Sequence, residues 1–485
     1  MAQVHAAYWR KLKKCGLEAL AASAFSCSSA AIYLQFICLS LLVFVGDSNL
    51  FGFLGLILNN MSQTREPPHP RRIFRQKKEH LPHDIVLNIL ANLPVKSILR
   101  FRCVSKTWDS SITTPSFIST HLNLNNNNNL AYLISFASTT IDSRIIPSFI
   151  GGYDPTFNRI SKYPIPSCFH SSYDSYSFTA DSCNGLVCFT QYGYHHPNIT
   201  GAIYLWNPSI RKQKRLPGFS LTRSLRFSTG FAYQSNTNDY KVVKISQMRV
   251  GVDYDAIEND AEVYTLSSNS WRRVEISLPK TILGLPPDDR AATFVSGALH
   301  WLGNDREAAP NYMILSFDVN NDKFGEIALP HVQQQQQLLP QGVMARLNRL
   351  MAFKGKLAFI TLGYLTFDHA NEDEYNDFMR SHTPHSCFIW VMGEYGVHES
   401  WSKLFFVQFE NVVSVRFFGC TSRGELLVIK KPSAESNPER WWPTVVSLDL
   451  ETLHEKDLGF QKVPDIVANF MESLVLLDGA TELSG

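Results

Sequence analysis

The sequence predicts an α+β chain of two unlike parts. A small all-α unit of three helices occupies residues 77–122, and an all-β domain, a β-propeller of six or so blades, occupies 131–480. Three observations carry this. Between Leu81 and Leu122, apolar residues fall at helical spacing and are cut by prolines. From about Leu130 the pattern becomes short alternating apolar runs separated by Gly, Asn, Asp and Pro, which is strand and turn chemistry. Through this second part a loose unit recurs, its glycines 45 to 69 residues apart, enough for four strands with their turns.

Composition narrows the function classes. The chain has 485 residues, more than one domain's worth, and a formal charge of +2, which gives no support for nucleic-acid binding as its main role. Aromatic residues make up 12%, as a β-rich body with a large core requires. Nine cysteines are scattered without a C-x-x-C pair or a Cys/His cluster of metal spacing, so they read as buried thiols in a reducing compartment.

Residues 1–60 form a hydrophobic extension unlike the rest. Ala19 to Val45 carries no charge, with Arg10, Lys11, Lys13 and Lys14 ahead of it. That length suits a transmembrane helix. The leading positive charge would hold the N-terminus in the cytosol and send residues beyond 45 to the far side. Met61 offers the other reading, a mis-assigned upstream extension ahead of a Pro-rich lead-in, and both stay open. Residues 61–76 read as a basic, Pro-containing linker.

In the helical unit, Pro82 suits a first helical position and Asp84 the first turn. Ile85, Val86, Ile89, Leu90 and Leu93 then make one apolar stripe, which Pro94 ends. A second helix is expected from about Ser97 to Val104, with Ile98, Leu99, Phe101 and Val104 apolar. Ser105 is placed to cap a third, carrying Trp108 and Ile112, which Pro115 closes. About forty residues cannot hide this many large apolar side chains from one another, so a second protein is expected to complete the leftover face.

The ordered run Leu81-Pro82, Ile85, Leu90, Leu93-Pro94-Val95-Lys96-Ser97, Arg100-Phe101, Cys103-Val104-Ser105-Lys106 and Trp108 resembles an F-box. The resemblance implies docking on the Skp-family adaptor of cullin–RING ubiquitin ligases. It places Leu81, Pro82, Ile85, Leu90, Leu93, Pro94, Ile98, Leu99, Val104 and Trp108 in the adaptor contact or the packing behind it.

Residues 123–130, with asparagines at 125–129, read as a flexible linker, and the glutamines at 333–337 as a loop. In the repeat, one half-unit is an apolar strand around Gly185, Gly230, Gly297, Gly355 or Gly424. The other is an apolar strand, a polar turn, an aromatic residue and often Leu-Pro, as at Leu216-Pro217, Leu278-Pro279 and Leu329-Pro330. Five units are clear, with a degenerate first copy from Phe149 to Pro164. Radial repetition of four-stranded sheets makes a propeller, and the terminal apolar run at 474–477 is expected to close the ring on the first blade. Ser182-Cys183-Asn184-Gly185, Trp206-Asn207-Pro208-Ser209, Arg215-Leu216-Pro217, Asp239-Tyr240-Lys241, Gly297-Ala298-Leu299-His300-Trp301 and Asp318, in this order, resemble the plant F-box-associated interaction domain, itself similar to kelch repeats.

No catalytic constellation, cofactor loop or metal set emerges. Cys183 and Cys188 flank an apolar run and read as core thiols, and His195-His196 as a loop pair. Trp206, Trp271, Trp301, Trp390 and Trp401 read as blade packing, with an aromatic cage open at one or two of them. The resemblances imply a non-catalytic substrate receptor, bound through the adaptor to cullin and RING subunits and holding a protein target in the cytoplasm or nucleus. The alternative is a scaffold recruiting no ligase, membrane-anchored if residues 19–45 act as an anchor.

Overall fold

The computed structural model describes residues 82–127, 131–141, 144–153, 159–163, 176–195, 198–218, 224–250, 256–276, 292–305, 311–330, 343–365, 385–409, 412–432, 442–460, 463–475 and 481–482. The expectations for residues 1–60, 61–76, Leu81, His196 and 333–337 lie outside these. Among the described residues, no helix is long and apolar enough to cross a membrane. The chain divides into two compact units, Met1–His121 and Leu122–Gly485.

Among its described residues the helical region contains four helices rather than three. Helix α1 (His83–Ala91) follows Pro82, which is the N-cap rather than the first helical residue. Its buried side chains are Val86, Ile89, Leu90 and Ala91. Helix α2 (Val95–Arg102) starts two residues before the expected Ser97, because Pro94 serves as its N-cap and accepts from the amides of Ser97 and Ile98. Helix α3 (Lys106–Ile112) is capped by Ser105, whose side chain accepts the Trp108 N–H at 3.1 Å, as the sequence suggested. Pro115 does not close this helix but opens the next, α4 (Pro115–Asn127). Thr114 accepts the Phe117 N–H through its side chain, so proline sits at the first helical position, where no donor is lost. Helix α4 runs through the first asparagines of the expected linker. Asparagine interrupts a helix only weakly, at under about 1 kcal/mol per residue.

The second part is a propeller of six sheets. In chain order the strands are β1 (Ala131–Ile141), β2 (Arg144–Tyr153), β3 (Arg159–Tyr163), β4 (Tyr176–Cys183), β5 (Leu186–His195), β6 (Asn198–Asn207), β7 (Lys212–Arg215), β8 (Ser224–Gln234), β9 (Asp239–Val250), β10 (Ala256–Thr265), β11 (Ser270–Val274), β12 (Thr293–Val295) and β13 (Ala298–Asp305). There follow β14 (Asn311–Asp318), β15 (Lys323–Ile327), β16 (Val343–Phe353), β17 (Lys356–Leu365), β18 (His385–Met392), β19 (Trp401–Phe409), β20 (Val412–Cys420), β21 (Leu426–Pro432), β22 (Thr444–Leu448), β23 (Glu455–Asp457), β24 (Ile466–Met471) and β25 (Thr481–Glu482). Blades two to six are built from β4 to β23, four consecutive antiparallel strands each. Strands β24, β4, β8, β12, β16 and β20 stand side by side around a closed circle as the innermost strands.

The ring closes between the two ends of the domain through Ile466–Met471, ahead of the expected run 474–477, of which residues 476–477 lie outside the described residues. Strand β24 pairs with β1, Ala131 opposite Met471 and Phe136 opposite Ile466, and so supplies the inner strand of the first blade. Strand β25 then adds a fifth strand to the outer edge of blade two, Thr481 opposite Gln213.

Because side chains alternate across a strand, each blade feeds two cores. Phe136, Ile150, Phe189 and Trp206 fill the core between blades one and two. Cys183, Leu186, Cys188, Phe231 and Tyr264 fill the next, and Val243, Leu299, Trp301 and Phe317 the third. Ile314, Phe359, Trp390 and Trp401 lie between blades four and five, Ile389, Phe417 and Val428 between five and six, and Leu133, Tyr153, Leu427 and Val445 between six and one.

The recurring glycines do not all hold one position. Gly185 follows Asn184 in the β4–β5 turn, both at positive φ, and a Cβ on Gly185 would lie 2.2 Å from the Ser473 Cβ. Gly230, by contrast, sits inside β8, where a Cβ would meet Ala292, Leu299 and Trp301 at 2.8–2.9 Å. Its role is close packing of neighbouring blades, which is why it broke the spacing of the repeat.

Candidate functional site

In the helical unit, short polar contacts fix the angles between helices. His83 Nε2 donates to Ser111 Oγ at 2.9 Å, and that hydroxyl in turn donates to the Thr107 carbonyl. Arg102 Nε meets Asp109 Oδ1 at 2.6 Å, joining α2 to α3 across the turn. The Phe101 and Trp108 rings stand 5.7 Å apart. From α4, the buried His121 ring donates to the Leu93 carbonyl at 3.1 Å, which satisfies the turn between α1 and α2. Burial lowers the His121 pKa, keeping the ring neutral.

Against this frame the ten residues singled out in the sequence separate. Leu90, Leu93 and Ile98 are buried and form the packing layer. Ile85, Leu99 and Trp108 are half-buried, and Pro82, Pro94 and Val104 are exposed. Val104, in the turn between α2 and α3, shows 61% of its surface to solvent. Leu81 lies outside the described residues.

The propeller spends its polar side chains on holding blades together. Asn207, fully buried, donates to the Ser473 carbonyl, the Ser473 hydroxyl and the Val475 carbonyl at 3.0–3.2 Å, and accepts the Ser209 N–H at 2.9 Å. Ser473 Oγ in turn donates to the Gly185 carbonyl at 3.0 Å. The Trp-Asn-Pro-Ser motif is thus a clasp on the segment that follows the closing strand. Trp271 Nε1 donates to the Pro217 carbonyl and Trp401 Nε1 to the Ala328 carbonyl, each at 3.0 Å, so these rings bind one blade's outer strand to the exit of the blade before it. The Leu-Pro half of the repeat marks that exit.

Blade three carries buried charge. Lys244, on β9, is sealed from solvent and paired with Glu262 on β10. Lys241 reaches the Val319 carbonyl and Asp322 in blade four, both at 2.8 Å, and Arg272 also meets Asp322. Between blades four and five, the Tyr395 hydroxyl donates to His300 Nε2 at 2.8 Å while His300 Nδ1 donates to the Thr293 carbonyl at 3.0 Å. Burial pushes the His300 pKa down to about 4. On β4, the Asp181 carboxyl accepts the Ser182 N–H at 2.7 Å through Oδ1, while Oδ2 is sealed without a partner, and burial raises its pKa to about 7.

Cys183 and Cys188 lie in the core between blades two and three, and burial pushes both thiols up, away from the reactive thiolate. Trp206, Trp301, Trp390 and Trp401 belong to the inter-blade cores, and Trp271 packs against one, so they converge on no aromatic cage. Among the described residues, no three His, Cys, Asp or Glu side chains gather where they could hold a metal ion.

Residues 79–120 match the F-box domain family, and residues 149–473, well over half of the chain, match the F-box associated beta propeller domain family. The chain belongs to the F-box associated beta-propeller family. An F-box/kelch-repeat protein of Arabidopsis thaliana is 26% identical over 345 residues, covering 67% of this chain and 79% of the relative. A putative F-box protein of the same plant is 28% identical, covering 59% and 63%. A third, named only as an F-box protein, is 26% identical, covering 67% and 72%. Among solved structures, an α-L-arabinofuranosidase from Fusarium graminearum aligns at 11% identity and a TM-score of 0.34, over 59% of this chain and 86% of that one, which carries no argument about chemistry.

The structural roles of several residues that set the geometry of this F-box propeller were not legible in the sequence. His121 follows Phe117 by four residues on one helical face, and that spacing was the available signal. The partners of Asn207 and His300 lie 266 and 95 residues away, and no local pattern announces them.

Proposed function

We propose that this chain is the substrate-recognition subunit of a Skp–cullin–F-box ubiquitin ligase. The F-box docks on a Skp-family adaptor, the propeller holds the target protein, and the chain itself performs no chemistry. It acts by effective concentration: target and charged conjugating enzyme on one assembly turn a bimolecular transfer into an intramolecular one. The observation that carries this reading is the turn between α2 and α3. There Val104 faces solvent, with Leu99 and Trp108 half-covered, in a unit whose inner layer is already complete. Covering these three side chains supplies roughly 1.5–3 kcal/mol each before association costs.

Val104→Asp tests it, because that side chain can change without disturbing the buried layer. Leu93→Asp cannot serve, since it would put a charge into the packing and unfold the unit. The full chain is titrated with a purified Skp-family adaptor. At least a tenfold loss of affinity is expected, with an unchanged circular dichroism spectrum. Equal affinity of the parent and Val104→Asp chains would refute the assignment of this turn to the contact.

A further inference from the structure

The described helical unit carries its charge unevenly. Its cations Lys96, Arg100, Arg102 and Lys106 all fall within α2 and the first turn of α3, against two acids, Asp84 and Asp109. Arg102 occupies Asp109. Lys96, Arg100 and Lys106 are exposed, and among the described residues no acid pairs with them.

Two of these three stand where the fold disfavours them. Lys96 is the second residue of α2 and Lys106 the first of α3, and the positive end of a helix dipole repels a cation there. The first turn of α2 holds no acid to offset Lys96. The acid in the first turn of α3 is Asp109, already engaged by Arg102. A residue that breaks a local rule without a compensating contact inside the chain points to a role outside it.

The same three cations share a surface with the apolar turn. Lys96, Leu99, Arg100 and Cys103 follow one another at helical steps of three and four, so they line one face of α2. That face runs into the turn where Val104 is exposed, and Lys106 follows directly after. Leu99, Val104 and Trp108 thus form an apolar centre with positive charge on either side of it.

We propose that the surface docking on this turn is an apolar groove rimmed by carboxylates, and that Lys96, Arg100 and Lys106 steer it into place. This partner chemistry rests on the reading of the unit as an F-box that docks on a Skp-family adaptor, and it describes the adaptor's side of that contact. The apolar centre favours a folded protein over a phosphate backbone, which presents charge but little to bury. Exposed rim charges act chiefly on the approach of the partner, and the buried centre sets how long the complex lasts.

The test measures association and dissociation rates of the full chain with a purified Skp-family adaptor. Three chains are compared: the parent, Lys96→Gln/Arg100→Gln/Lys106→Gln, and Lys323→Gln/Arg423→Gln/Lys431→Gln. The second triple variant removes the same charge from exposed propeller positions and is the control. Between about 0.01 M and about 1 M salt the screening length shrinks from about 30 Å to about 3 Å. Over that range the parent and the control should lose at least about tenfold in association rate. The F-box triple variant should start slow and change by less than about twofold, with dissociation rates of all three within about threefold at any one salt concentration. It should also be no less stable to heat than the parent, since two of its changes relieve helix N-termini. Salt-independent association of the parent overturns the proposal while leaving the docking intact, and so does an F-box triple variant that keeps the parent's salt dependence or unfolds earlier. An adaptor that fails to bind the parent at all overturns the F-box reading itself, and the steering with it.

Discussion

Replacing Asn207 with alanine removes four hydrogen bonds at one buried point: three donated to Ser473 and Val475 and one accepted from Ser209. A typical intramolecular hydrogen bond is worth about 0.5–1.5 kcal/mol net, and a buried partner left unsatisfied adds its own desolvation penalty. The Ser473 hydroxyl keeps its bond to Gly185, so the losses fall chiefly on two carbonyls and one amide. The propeller should therefore lose about 2–4 kcal/mol, at the upper end of ordinary point changes. Asn207→Asp is the sharper probe. It keeps the shape but turns an amide donor into a carboxylate oxygen facing two carbonyl oxygens, and should destabilise at least as much as alanine. The assay is urea unfolding followed by tryptophan fluorescence, with limited proteolysis to see whether residues beyond Met471 are released first. A loss below about 1 kcal/mol for both variants would refute the view that this clasp holds the ring shut.

Gly185→Ala should act on the same clasp from the other side, because the added methyl meets Ser473 at 2.2 Å and the φ of +79° resists any side chain. The same urea assay should show a loss of more than about 2 kcal/mol, against near-neutrality for alanine at Gly218, where nothing stands within 4 Å. His300 titrates near 4 when folded and 6.5 when free, so its contribution is present above pH 6.5 and drains away as pH falls toward 4. The loss should reach about 3 kcal/mol and be absent in His300→Gln, read as the pH dependence of the urea midpoint. Asp181 has the opposite sign: folded near 7 and free near 3.8, it destabilises increasingly as pH rises between those values. Asp181→Asn should raise the midpoint at pH 8 and leave it nearly unchanged at pH 4.

The parts of this fold legible in the sequence are those decided by neighbours in the chain. Pro94, Ser105 and the stripe from Val86 to Leu93 announce the first helices because caps and helical periodicity act within four residues. The four-strand blade was legible for the same reason, since each turn sits between strands that pair with each other. Of what failed, the ring closure was decided at a distance and one helix boundary locally. Closure by Ile466–Met471 instead of 474–477 depends on which apolar run reaches Ala131 in register, and both runs satisfy a strand pattern. Pro115 was read as a stop, although proline serves equally well at the first position of a helix. Thr114 beside it was the signal that should have decided the matter.

Among the described residues, paired polar groups stand at the junctions between blades. They are spread around the ring: Asn207 at the closure, Lys241 with Asp322 between blades three and four, His300 with Tyr395 between four and five, and Lys354 with Glu451 between five and six. A junction bond is strained whenever its two blades slide past each other, so these bonds resist the deformation that a ring of separate sheets permits most easily. A stiff body is what a receptor acting by effective concentration requires, because every additional conformation of the holder dilutes the target relative to the transferring enzyme. On this argument, weakening several junctions together should reduce transfer to a bound target more than it reduces binding of that target. A mutation of the recognition surface should do the reverse.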